Sequence, residues 1–168
     1  MANTVLRGRA IKVGDNISTD LIIPGRFAHL RSNLPELAKH VLEDTLPTFT
    51  SELSQGDFLV AGENFGLGSS REHAAIVIKM SGVGAILAKS VAHIFFRNAI
   101  NHGLPVLLCD TDRISGGNEL EIDLTDFSII NLTSGATLSC NEISPLMSAI
   151  LEEGGLIPYI RKHRDFEL

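Results

Sequence analysis

The chain has 168 residues, of which 44% are hydrophobic, and its formal net charge is -6. This length predicts a single domain over residues 1–168, and the hydrophobic content is enough for a folded core, which excludes intrinsic disorder. The acidic balance argues against a nucleic-acid surface, and no apolar run approaches the roughly 20 residues of a membrane span. Residues 1–5 lack the features of a signal peptide, so we expect a cytoplasmic protein.

The segment after the first strand is open to two interpretations. Basic and apolar residues alternate over 6–13, which is typical of a half-exposed strand. A Gly-Asp-Asn turn then leads into small polar residues and a short apolar run. This run predicts either a strand that stops at Pro24 or a turn that places Thr19 and Asp20 at the rim of a site.

The next three segments vary in regularity. Residues 28–33 indicate a mobile loop, since they combine polar and apolar side chains without a period. Residues 35–44 predict an amphipathic helix, because their apolar side chains recur at helical spacing and proline suits a first turn. Residues 45–54 are interpreted as a linker.

The centre of the chain alternates short apolar runs with longer helical segments. The predicted strands are 58–61, 85–88 and 105–108, and the predicted helices are 74–80 and 91–101. Gly82 and Gly103 follow the two helices, as expected for helix ends. This alternation predicts parallel strands joined by crossover helices.

The carboxyl-terminal third has a different pattern. Strict alternation over 119–124 predicts a strand, and 127–138 predicts a hairpin around Thr-Ser-Gly. A last helix is predicted over 144–153, followed by a short basic segment at 161–164 that is interpreted as a solvated face. The fold class is therefore α/β, with mixed parallel and antiparallel strands and flanking helices.

Residues 64–75 (NFGLGSSREHAA) carry the strongest chemical signal. Two glycines lead into Ser69, Ser70, Arg71 and Glu72 just before an apolar segment, which predicts a loop that turns into a helix. Serine followed by glutamate three residues later matches the capping-box pattern. Helix amides, two hydroxyls and a guanidinium would then surround one small volume, which suits a carboxylate or another anion.

Three better-known serine or glycine motifs are excluded here. The segment lacks the second glycine of a hydrolase nucleophile elbow, the lysine of a P-loop and the dinucleotide fingerprint. The alternative to an anion site is a helix that is merely well capped. His73 lies in the first turn, where a lone histidine is more often a hydrogen-bonded polar group than a ligand.

Metal binding by this chain is not expected. Its six histidines show no paired spacing, and its two cysteines, Cys109 and Cys140, lack a C-x-x-C spacing. They are interpreted as ordinary reduced thiols of a cytosolic protein. Two thiols are too few for an iron–sulfur cluster, which usually takes three or four.

The segment GSSREHA at 68–74 resembles the active-site signature of the swivelling domain of aconitase-type hydro-lyases. The resemblance extends to 14–20, 92–99 and 103–105, and so covers nearly the whole chain. It implies a swivelling β/β/α domain, like the carboxyl-terminal domain of aconitase. It also implies that the chain is a separate small subunit with no cofactor of its own. The [4Fe-4S] cluster would be carried by a larger partner subunit, in a heterodimer or heterotetramer.

The implied reaction is the reversible dehydration and rehydration of a hydroxy di- or tricarboxylic acid. By position in the motif, Ser69 would take a proton from carbon, its alkoxide favoured by helix amides and the Arg71 cation. Ser70 and Arg71 would bind a substrate carboxylate. The groups expected to support them are Asp20, Thr19, Glu72 and His73.

Residues 28–33 match the substrate-discriminating segment of the family. Leu30, with Phe27, would suit an isopropyl group, whereas Arg31 would suit a distal carboxylate. The resemblance therefore favours 3-isopropylmalate and leaves homoaconitate or a methyl-substituted malate as alternatives. A stand-alone carboxylate-binding module and a purely structural partner are the rivals from other classes.

Overall fold

The sheet at the centre of the fold has seven strands, and the computed structural model describes residues 5–164. The strands are β1 (Val5–Lys12), β2 (Phe58–Val60), β3 (Ala85–Ala88), β4 (Val106–Leu108), β5 (Glu119–Asp123), β6 (Ser128–Asn131) and β7 (Thr137–Ser139). The helices are α1 (Thr19–Ile22), α2 (Leu34–Leu37), α3 (Phe49–Glu52), α4 (Glu72–Ser81), α5 (His93–Asn101), α6 (Pro145–Glu152) and α7 (Leu156–His163). The two ends of the expected domain 1–168, and most of the segment tested for a signal peptide, lie outside the described residues.

The sheet is parallel on one side of β1 and antiparallel on the other. Its strand order is β4-β3-β2-β1-β5-β6-β7. Strands β1 to β4 pair in parallel, and β4, β3 and β2 follow one another through α5 and α4. Strands β5, β6 and β7 add to β1 as antiparallel neighbours. The predicted mixture of parallel and antiparallel strands is confirmed.

Both faces of the parallel strands are buried, which explains their continuous apolar sequences. Successive side chains of a strand point to opposite faces. Accordingly, Leu59 and Ile86 pack with the buried side of α4, whereas Phe58 and Leu87 pack with side chains from β5 and β6. The sheet therefore curls between two apolar clusters, one under the helices and one against the antiparallel strands.

In the first third of the chain, three sequence-based assignments are wrong, and one of the two alternatives for the segment before Pro24 is excluded. The apolar run before Pro24 forms α1 rather than a strand, because the Ser18 hydroxyl accepts a hydrogen bond from the Leu21 amide and caps a helix. The expected loop at 28–33 overlaps a 3₁₀ helix, Gly25–Leu30. The expected helix at 35–44 ends at Leu37 and continues only as the 3₁₀ turn Ala38–His40. The expected linker contains α3, whose Phe49 is buried in the core.

The carboxyl terminus contains one helix that the sequence pattern did not predict. Helix α7 follows α6 after Gly154 and Gly155, both of which have positive φ angles. The expected basic segment lies mostly in this helix, where Lys162 and His163 lie close to the Glu153 carboxylate. Across residues 5–164, no helix is long and apolar enough to cross a membrane.

Candidate functional site

The segments that follow β1, β2 and β3 continue side by side beyond the carboxyl ends of the strands. Ser18 forms a parallel bridge with Leu67, and Phe65 forms one with Val91. The Thr19 amide also donates a 2.8 Å hydrogen bond to the Leu67 carbonyl. Ligand sites of open parallel sheets lie at this end of the strands. The loop that carries the serines is therefore held at the expected place for a site.

Hydrogen bonds from two neighbouring segments fix the start of this loop. The Asp15 carboxylate accepts from the Glu63 amide at 2.7 Å, and the Ser90 hydroxyl accepts from the Asn64 amide at 2.7 Å. Gly66 is required for a steric reason: its φ is +75°, and a Cβ there would lie 2.3 Å from the Phe95 ring. The loop is thus anchored well before it reaches Ser69.

Ser69 lies beside a buried threonine. Its hydroxyl oxygen is 3.2 Å from that of Thr19, and either group can donate the hydrogen bond. Thr19 is only 1% exposed, whereas Ser69 and Ser70 are exposed. Ser69 therefore has a fixed hydroxyl neighbour on its protein side while its other side is open to a ligand.

Arg71 is held by the carboxylate of Asp20. The two groups form an ion pair with a distance of 2.8 Å from guanidinium nitrogen to carboxylate oxygen. The Arg71 side chain is 35% exposed and that of Asp20 is 65% exposed. A guanidinium has five N–H donors, so this contact orients Arg71 and leaves donors for an incoming carboxylate.

The predicted capping box between Ser69 and Glu72 is wrong. Helix α4 begins at Glu72 with Arg71 as its N-cap, so Ser69 lies two residues too early to cap it. Glu72 instead lies 2.6 Å from the Nε2 atom of His102, which follows α5. No side chain among residues 5–164 caps α4. Of its first-turn amides, that of Ala74 donates to the Arg71 carbonyl at 3.3 Å, and the others keep their capacity to bind an anion.

A narrow cleft beside Arg71, the cation of the ion pair with Asp20, brings together several of the predicted site residues. Thr19, Arg31, Arg71 and His73 all line it, beside the backbone at Pro24 and Gly25. The volume of this cleft is only about 10 Å³, roughly that of one water molecule, so an anionic ligand would meet the two guanidinium groups and the imidazole at its mouth. Leu30, by contrast, packs against the apolar core below the helices.

The thiols are poor candidates for metal ligands. Desolvation raises the pKa of Cys109 to about 12 and that of Cys140 to about 11, so the ligating thiolate form is disfavoured. The described part of the chain has no group of three or more His, Cys, Asp or Glu side chains placed to hold a metal ion. Residues 5–164 therefore do not fit an iron–sulfur cluster.

Sequence reasoning missed the contact of His102 with the Glu72 carboxylate. It also missed Asp15 and Ser90, whose side chains accept hydrogen bonds from the loop before Ser69. The signal for His102 is weak, because it is one of six scattered histidines. Asp15 lies in a recognised turn, but its partner is 48 residues away in sequence. Such contacts depend on how β1, β2 and β3 come together.

Three comparisons with known proteins agree on one group of relatives. The family model of the aconitase C-terminal domain matches residues 32–110. The chain is 56% identical over 161 residues to 3-isopropylmalate dehydratase small subunit 2 of Archaeoglobus fulgidus, which covers 96% of this chain and 98% of that protein. It is 55% identical over 163 residues to small subunit 1 of Thermotoga maritima, covering 96% and 98%.

A solved structure and a second type of relative complete the comparison. The crystal structure of 3-isopropylmalate dehydratase (leuD) from Methanocaldococcus jannaschii matches with a TM-score of 0.91 and 43% identity, covering 95% of each chain. A methanogen homoaconitase small subunit from Methanothermobacter thermautotrophicus is 48% identical over 161 residues, covering 96% of this chain and 94% of that protein.

Proposed function

Because the chain belongs to the family of 3-isopropylmalate dehydratase small subunits, we propose that it supplies the proton-accepting and carboxylate-binding groups of that hydro-lyase. The enzyme would interconvert 2-isopropylmalate and 3-isopropylmalate by dehydration and rehydration. The observation that carries the proposal is the pairing of Ser69 with Thr19 beside the ion pair of Arg71 and Asp20. Both pairs lie beyond the carboxyl ends of the parallel strands.

Ser69 acts as the base. In the dehydration direction, its alkoxide oxygen takes the proton from the carbon next to the one that loses hydroxide, and the C–H electron pair becomes the new double bond. In rehydration the Ser69 hydroxyl returns the proton. Thr19 lies 3.2 Å away and can donate a hydrogen bond to the Ser69 oxygen when that oxygen is negatively charged. The open first turn of α4 and the nearby Arg71 cation favour the same charge.

Arg71 binds a substrate carboxylate. Its contact with Asp20 fixes the guanidinium plane, and its remaining N–H groups match the two oxygens of a carboxylate. The exposed Ser70 hydroxyl lies between Ser69 and Arg71 in the chain and is assigned to the same substrate group. This arrangement holds the reacting carbon in a fixed position relative to the base.

The remaining part of the active site belongs to another chain. A small subunit implies a larger partner, and we assign a [4Fe-4S] cluster to that partner, since the described residues here do not fit one. When bound there, the cluster would supply Lewis-acid chemistry toward the leaving hydroxyl. The assembly would be a heterodimer or a heterotetramer. We place it in the cytoplasm, where thiols such as Cys109 stay reduced.

A second substrate is favoured by one specific observation. Arg31 lines the same cleft as Arg71, whereas the partly buried Leu30 packs against the core. A second guanidinium would suit a distal carboxylate, as in homoaconitate, better than an isopropyl group. The relatives favour 3-isopropylmalate, and the position of Arg31 makes homoaconitate the second candidate.

Reconstitution with the large subunit tests the function. The isolated chain should show no turnover, and the mixed, cluster-loaded complex should interconvert the two isopropylmalates. Ser69→Ala should lower kcat by about 10²–10⁴-fold, the usual contribution of a general base. Ser139→Ala, on the exposed face of edge strand β7, is the matched control and should keep normal turnover. Normal kcat in Ser69→Ala would refute the assignment of the base.

The two candidate substrates are separated by Arg31→Ala. This variant should raise KM for homoaconitate at least tenfold and change KM for 3-isopropylmalate less than twofold. Arg161→Ala, on exposed α7, serves as the control. An equal effect on both substrates would remove Arg31 from substrate selection. Tight binding of dicarboxylates to the isolated chain, with no turnover in the complex, would instead favour the stand-alone binding module.

A further inference from the structure

A second cavity lies at the opposite end of the sheet from Ser69. Its volume is about 380 Å³, within the range of roughly 300–1,000 Å³ that is usual for small-molecule sites. Gly84 and Pro105 line it just before β3 and β4 begin, and Leu6 lines it near the start of β1. The cavity is therefore at the amino ends of parallel strands whose carboxyl ends hold the candidate active site.

Much of the cavity wall is aliphatic. Leu6 and Leu124 come from the paired strands β1 and β5 and their flanks, and Ile143 and Leu151 come from the α6 region. A ligand that fits this wall needs a compact hydrocarbon group. The hydroxyls of Thr125 and Ser148 add neutral hydrogen-bonding groups to the same cavity.

Two opposite charges line the cavity without neutralising each other. Lys79 is in the last turn of α4, and Glu152 is the last residue of α6. Within residues 5–164, neither side chain makes a hydrogen bond or an ion pair, and both residues are exposed at the edge of the cavity. Desolvation lowers the pKa of Lys79 from its usual value, as expected for an ammonium that has lost part of its water without gaining a partner.

We propose that this cavity is a binding site for a small α-amino acid with a branched aliphatic side chain. Its carboxylate would pair with Lys79, its ammonium with Glu152, and its hydrocarbon group with the wall formed by the leucines and Ile143. A simple carboxylate would bring a second negative charge close to Glu152, and a simple amine would bring a second positive charge close to Lys79. A zwitterion supplies a partner of opposite charge for both Lys79 and Glu152, so the two charges favour a ligand of this class.

Calorimetric titration of the full chain with L-leucine, L-isoleucine and L-valine tests the site. At least one should bind, and two analogues of leucine should bind at least tenfold more weakly: 4-methylpentanoate, which lacks the ammonium, and isopentylamine, which lacks the carboxylate. Lys79→Met and Glu152→Gln should each weaken binding at least tenfold, and Lys79→Arg should retain it. Lys39→Met, which removes an ammonium from an exposed helix pair elsewhere, is the matched control.

Three outcomes would overturn the proposal. The first is the absence of binding by all three amino acids to protein that is shown to be folded by circular dichroism. The second is equal binding of 4-methylpentanoate, which would remove the role of Glu152. The third is loss of binding in Arg71→Ala with retention in Lys79→Met, which would move the ligand to the candidate active site. Because the cavity is separate from Ser69, these results are independent of the proposed hydro-lyase function.

Discussion

The contact between Thr19 and Ser69 allows a sharp test of the proposed base. Thr19→Val replaces the hydroxyl with a methyl group of similar size and leaves the buried position filled. The Thr19 hydroxyl oxygen lies 3.2 Å from the hydroxyl oxygen of Ser69. Ser69 is exposed and can take a hydrogen bond from water instead. We therefore expect the free energy of unfolding to change by less than about 1 kcal/mol.

The effect on catalysis should be larger than the effect on stability. A hydrogen bond to a charged group contributes about 1.5–3 kcal/mol, compared with about 1 kcal/mol for a neutral pair. If Thr19 donates to the Ser69 alkoxide, its removal should lower kcat by about 10- to 150-fold. Steady-state kinetics of the reconstituted complex measure kcat, and urea unfolding of the chain measures stability.

Two controls make the interpretation specific. Thr111→Val removes another buried threonine hydroxyl, one that donates to the Ala61 carbonyl at 2.8 Å, so it should reduce stability by about 1–3 kcal/mol and leave kcat unchanged. In a Ser69→Ala background, Thr19→Val should change kcat less than twofold, since its partner is gone. The reasoning would be refuted by an unchanged kcat in Thr19→Val alone, or by an equal loss in both backgrounds.

Three further outcomes follow from local geometry. Gly66→Ala should lower the free energy of unfolding by about 1–3 kcal/mol, because a Cβ there would collide with a phenylalanine ring. Gly117 also has a positive φ but is surrounded by open space, so Gly117→Ala should lower it by about 1 kcal/mol. Equal losses in urea unfolding would contradict this. Asp20→Asn should raise KM up to about fivefold with little change in kcat, because it removes an exposed partner that orients Arg71; a KM equal to that of the wild type would contradict that role. Iodoacetamide should modify Cys109 at pH 8 on the order of 1,000-fold more slowly in the folded chain than in urea, since burial raises the thiol pKa from 9.0 to about 12 and lowers the thiolate fraction by that factor. Equal rates would refute the effect of burial.

The strands of the centre were predictable because their signal is local. Residues 58–61 and 85–88 are short, continuous apolar runs, each with a glycine at one end, and both form buried parallel strands close to the predicted bounds. The helix after the serine motif also begins and ends near its predicted positions, with Gly82 in the left-handed conformation at its C-cap. A fully buried strand or helix is visible in the sequence as a run or a periodic pattern of apolar residues, so neighbouring residues alone predict its position.

The first third of the chain was harder to predict because single hydrogen bonds and single backbone angles decide its local structure. The Ser18 side chain caps a helical turn in the apolar run before Pro24, for which the sequence had left a strand as one of two alternatives. A positive φ at Leu42 lies within the expected helix 35–44, where a left-handed residue cannot continue a helix. Neither feature changes the hydrophobic pattern, so periodicity alone could not detect it.

For this protein, the sequence by itself determined the alternation of parallel strands and helices, and it predicted an anion site in the motif from Gly68 to His73. It also identified Ser69 and Arg71 as candidates, because residue types and short spacings carry that chemistry. Only the tertiary structure decided the partners: Thr19 for Ser69, Asp20 for Arg71, and His102 in place of a capping serine for Glu72. The contacts of Thr19 and Asp20 span about 50 residues, so they form only after the strands have set the register of their loops.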